Sequence, residues 1–182
     1  MRNTEFWNFG KFGLKTFLLS ILFFYGHLSL IVTSLIPSLI RAYQMWNPQA
    51  PLGLEIIVEF TRVVLLLMMI SILSKVSARK LLKRDFWKNI VRKYSHRMKK
   101  NWPYVFAAQI IVFFLFVYGL GNFLIYFIVN VSIFPLMGML DLNSNDYSAA
   151  YNAYVYFLKN MSVIPLTIVF ILKMGGIKSS NR

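Results

Sequence analysis

Long apolar runs alternate with short polar stretches along this chain, and within each run the apolar residues are continuous. Each run is at least as long as the ~20 residues an α-helix needs to cross a bilayer core of roughly 30 Å. A spanning β-barrel would instead alternate apolar and polar positions with a period of two. The pattern predicts an all-α integral membrane protein. It reads as a single membrane domain over 1–182, with four transmembrane helices over about 14–40, 52–74, 104–129 and 149–172.

The runs differ in their borders. Arg2, Lys11 and Lys15 precede the first, as in a signal peptide, but the run is too long for an h-region and no A-x-A-like cleavage site follows. It is therefore expected to remain as an uncleaved helix, bent or ended near Pro37. Residues 41–51 hold two prolines and Asn47, which suit an outer turn, with Tyr43 and Trp46 at the interface. The third run continues to Leu140. One span followed by an outer interfacial piece broken at Pro135 is preferred over a hairpin turning at Gly119–Asn122, which would carry the C-terminus to the other side. Asn145 or Asp146 is the expected N-cap of the fourth helix. Tyr147, Tyr151, Tyr154 and Tyr156 would form an outer aromatic belt.

Charge orients this arrangement. Residues 75–101 carry eleven of the 20 Lys and Arg and one acid, Asp85. A short basic loop beside spanning helices stays cytoplasmic. With both ends inside as well, 17 of the 20 cations lie on the cytoplasmic side, and Arg41, Arg62 and Lys159 fall elsewhere. The expected location is the plasma (cytoplasmic) membrane, multi-pass, N-in and C-in. On a helix, Phe86, Trp87, Ile90, Val91, Tyr94 and Met98 share one face of the basic segment, and Arg84, Lys88, Arg92 and Lys99 share the other. This predicts an amphipathic helix lying on the inner leaflet between the second and third spans, apolar side down, with anionic lipids as partners.

Composition agrees: 58% of residues are hydrophobic and 14% charged, against about a quarter charged in soluble domains. The net charge of +14 is accounted for by orientation and lipid attraction, so no nucleic-acid partner is expected. The absence of cysteine removes disulfide, thiol and Cys-metal chemistry. Abundant Lys, Asn, Ile and Phe hint at an AT-rich bacterial genome.

Ionisable residues inside a membrane carry a functional hypothesis by default. The second helix holds Glu55, Glu59 and Arg62 on a narrow arc, and the fourth holds Lys159; together they are neutral. A buried structural network is the first reading, and an outward-open polar cavity for an ion or solute is the second. His27 falls near mid-membrane, as a neutral hydrogen-bonding residue or, second, a proton relay. It belongs to a seven-residue series, Gly13, Ser20, His27, Ser34 and Arg41, flanked by Thr16 and Ser38, that predicts close packing on the second helix. In that pairing Glu55 comes level with Ser38 and near Arg41. Gly119, Asn122, Tyr126 and Asn130 read as a packing face of the third helix.

No H-E-x-x-H pair, G-x-S-x-G elbow or phosphate-loop motif occurs. The two histidines fall too far apart to share a metal, so no metal, cofactor or catalytic residue is expected. The chain is expected to be a non-enzymatic accessory or regulatory subunit of a membrane complex, partnered by another membrane protein or by itself. The alternative is a small ion or solute transporter or channel using the charged cluster in the outer half of the bundle.

Overall fold

The computed structural model describes residues 3–177, with side chains from Phe9 onward. Arg2, Lys178 and Arg182, three of the cations counted on the inner side, lie outside the described residues. The described chain is all helical, and four of its helices are long and apolar enough to cross a membrane: Leu28–Trp46, Gly53–Ser74, Tyr104–Met139 and Ser144–Met174. The number of such helices agrees with the hydropathy pattern, and so do the borders of the second, while those of the other three differ.

The first apolar run is two helices, α1 (Asn3–Tyr25) and α2 (Leu28–Trp46). The break falls at Gly26 and His27, with His27 extended at φ −120°. Glycine is the poorest helix former after proline, which weakens the helix at this point. Pro37, expected to bend or end the helix, sits inside α2. There Ser38 Oγ donates to the Ser34 carbonyl at 2.6 Å.

Helix α3 (Gly53–Ser74) returns antiparallel to α2, with Thr33 Oγ1 3.5 Å from Met68 Sδ. It ends with Lys75 in the left-handed region, φ 51°, while the Val76 N–H bonds the Ser71 carbonyl at 3.1 Å. A single turn, α4 (Ala78–Leu81), leads into the basic helix α5 (Arg84–Asn101).

The third apolar run is neither a short span nor a hairpin. Helix α6 (Tyr104–Val112), a π-helical segment (Phe113–Leu120) and α7 (Gly121–Met139) form one rod, with Pro135 inside it. The wider π turns change which face points inward. Before them, α6 packs on α1; after them, Ile125, Val129, Ile133 and Met137 pack on the helix that follows.

That helix has Asp146 at its N-cap, one of the two residues expected there, and is preceded by a 3-10 turn, Ser144–Asp146, closed by a capping box between Asn143 and Asp146. It comprises α8 (Tyr147–Met161) and α9 (Val163–Met174), broken at Ser162. Two antiparallel lines of helix, α1–α2 and α8–α9, run side by side, as shown by Ser34 near Met161 at 3.5 Å and Lys173 Nζ on the Leu19 carbonyl at 2.8 Å.

The core has three clusters. Phe24, Leu30, Leu65, Met69, Val169 and their neighbours form one, the α7–α8 residues a second, and Val112, Val117 and Phe170 a third. Thr16, Ser20, Ser34 and Ser38 are buried, so the small-residue stripe is a packing face. Its α2 half meets α8 more than the second span, while Gly13 and Thr16 on α1 meet α6 at Val112 and Gln109. Small residues there let the backbones approach closely, and each hydroxyl bonds a carbonyl of its own helix.

Candidate functional site

The charged residues of the second span meet partners from two other helices. Arg41, one turn before the end of α2, forms a two-pronged ion pair with Glu55 in the first turn of α3. It also stands 3.6 Å from Glu59. Arg62 donates from Nη1 to Glu59 at 2.6 Å and from Nη2 to Asn160 Oδ1 at 2.8 Å. The result is a string, Glu55–Arg41–Glu59–Arg62–Asn160, that ties α2, α3 and α8. Its arginines are the more enclosed members, at 16% and 24% side-chain exposure, against 48% and 55% for the glutamates. Arginine suits this role because its planar fork serves two acceptors at once.

Two of the five residues expected in the cluster stand apart from it. Lys159 makes no ion pair among the described residues. Its ammonium donates to Tyr126 Oη at 3.2 Å and lies 5.0 Å and 5.8 Å from the Tyr126 and Tyr156 ring centroids. Cation–π attraction stands where a carboxylate was expected. His27 stands apart from the string, at the junction of α1 and α2. It lines a cavity together with Ile72, Leu73 and Lys75, level with the last turn of α3. Its Nδ1 lies 2.6 Å from the Phe23 carbonyl. The helix break at Gly26 sets that depth, which an unbroken helix would have placed elsewhere.

Asn160 and Gln109 are the residues that sequence reasoning passed over. Both are buried, at 3% and 1% exposure. Asn160 also donates to the Tyr156 carbonyl at 2.8 Å, so its amide closes the ionic string. Gln109 donates to Thr16 Oγ1 at 3.3 Å, while its Oε1 has no partner. Each was visible as an amide within an apolar run, which is the signal that could have flagged it. The expected face of Gly119, Asn122, Tyr126 and Asn130 is not the one that packs. Asn130 and Gly119 are exposed, and Asn122 bonds its own helix at the Tyr118 carbonyl.

The basic helix also differs from its expected setting. Phe86, Trp87 and Ile90 pack against the core cluster that includes Leu73, Leu81 and Leu172. Trp87 Nε1 donates to the Leu81 carbonyl at 2.6 Å. Part of the apolar arc of α5 therefore meets the protein's own bundle, its residues half-buried and Val91 exposed. Arg84, Lys88, Arg92 and Lys99 remain on the exposed side.

Among the described residues no group of three or more His, Asp or Glu side chains could hold a metal ion. No protein-family model, curated protein or solved structure matches this chain.

Proposed function

We propose that this chain is a non-enzymatic accessory or regulatory subunit of a plasma-membrane complex, with its basic end and both termini in the cytoplasm. The observation that carries this reading is the closure of the ionic string. Glu55, Arg41, Glu59 and Arg62 neutralise one another, and Asn160 takes the remaining guanidinium donor. Charges arranged this way hold three helices in register, as an inert bundle requires.

Helix length supports a protein partner. The rod from Tyr104 to Met139 has 36 residues, about 54 Å at 1.5 Å per residue. The bilayer core takes roughly 30 Å, and ordinary tilts of about 20° absorb little of the difference. Beyond Tyr126, level with Lys159, α7 still exposes Val131, Phe134 and Met139. Exposed apolar surface on a rod longer than the hydrocarbon is what a second membrane protein would cover.

The test is Glu59→Gln. The expected result is lower abundance of the protein in its membrane, or poorer recovery of whatever co-purifies with it in mild detergent. Unchanged abundance, together with loss of an ion or solute flux that the wild type shows in proteoliposomes, would replace this reading with a transport site.

A further inference from the structure

At the end of the bundle opposite the ionic string, four elements leave a cavity of about 670 Å³. Its cationic side carries Lys15 of α1, Lys75 at the end of α3, Arg97 of α5 and Lys173 of α9, with His27 beside them. Among the described residues no carboxylate lines it. Its other side is apolar, formed by Phe12, Leu19, Ile72 and Leu73 among others.

Arg97 is placed there by the chain. The turn after α9 has Gly176 at φ +84°, with the Ile177 N–H on the Leu172 carbonyl at 3.1 Å. A side chain on Gly176 would collide with Arg97, and one on Gly175 with the Tyr94 ring, so α5 lies directly against this turn. The Arg97 Nε is buried and has no hydrogen-bond partner. That nitrogen is packed against Gly176, which fixes the side chain, and a guanidinium lining the cavity can offer N–H donors to an anionic oxygen.

We propose that this cavity binds the phosphate headgroup of an anionic phospholipid, with the first part of an acyl chain along the Phe12–Leu19–Leu73 wall. The converging cations call for an anion. The apolar wall beside them calls for an amphiphile, which a free phosphate is not. The depth suits a headgroup, because the cavity lies at the last turn of α3, where the apolar span gives way to the basic segment. Basic pockets between helices at this level are an established way of holding acidic lipid heads. The inference rests on the membrane-embedded reading above but not on any partner protein.

The test is native mass spectrometry of the full chain in mild detergent, titrated with phosphatidylglycerol, phosphatidylcholine or glycerol phosphate. Phosphatidylglycerol should be retained at one site and phosphatidylcholine lost at the same energy. Arg97→Gln and, at the exposed rim, Lys75→Gln should each weaken retention roughly tenfold. Lys88→Gln and Arg92→Gln, on the far face of α5, should leave it unchanged. Equal retention in Lys75→Gln and wild type, or no preference over phosphatidylcholine, would overturn the proposal. Glycerol phosphate binding as tightly as the lipid would overturn the lipid assignment in favour of a soluble phosphate ester. None of these readouts involves Glu59 or a co-purifying protein, so the outcome is independent of the subunit reading.

Discussion

Asn160 sits between a charge and a helix backbone. Its carbonyl accepts from Arg62 on α3, and its amide is anchored to Tyr156 on its own helix. Arg62 already has a buried Nε without a partner, so loss of the Asn160 acceptor would leave a second guanidinium donor unmet. Asn160→Leu should therefore cost about 1–3 kcal/mol, seen as a lower thermal midpoint in detergent. Asn130→Leu, at an exposed position of α7, should change stability by no more than about 0.5 kcal/mol. Equal effects at the two sites would show that the Arg62–Asn160 contact contributes little. At this scale, the Glu59–Arg62 pair and the approach of Glu55 to Arg41 were legible from spacing alone. Asn160 was not, because an amide beside a lysine gives no directional signal until the opposite helix is known.

Helices here end or change phase without proline as often as with it. Pro37 and Pro135 both lie inside helices, while the breaks fall at Gly26–His27 and at Ser162. A proline removes one donor and crowds one turn; side-chain hydroxyls and packed neighbours can hold the helix through it. Helix α5 shows the reverse dependence, on a neighbour's backbone. It is seated against a turn in which two successive residues have no side chain. Gly175→Ala should push against the Tyr94 ring and loosen α5, at a cost of roughly 1–3 kcal/mol. Limited trypsin digestion in detergent should then cut faster at Lys88 and Arg92. Gly138→Ala, where an added methyl meets nothing within 4 Å, should cut as slowly as the wild type.

At the scale of the molecule, the two ends of the bundle differ in kind. One gathers Lys15, Lys75, Arg97 and Lys173 with no acid among them. The other holds a neutral string of paired charges and a run of tyrosines. Cations resist transfer across the hydrocarbon, and the proposed orientation, with the first end in the cytoplasm, rests on that. The chain has no cysteine, which permits a direct check. In intact cells, Ser144→Cys should react with a membrane-impermeant maleimide added outside, and Lys88→Cys should react only after lysis. The opposite labelling pattern would invert the map.

Hydropathy alone determined an all-helical chain with four helices long and apolar enough to cross a membrane, because solvation by lipid acts on every residue of a run and needs no partner. The positions of the basic segment and of the charged residues in the second span followed from the same one-dimensional pattern. What only the tertiary structure decided was which surfaces meet: the stripe of small residues on α6 and α8, part of the apolar arc of α5 on its own bundle, Lys159 on tyrosine rings, and His27 beside the last turn of α3. Those outcomes depend on where helices break and in which phase they resume. A break at one glycine or a π turn rotates every later side chain about the helix axis, and local composition does not encode the neighbour that the rotated face then finds.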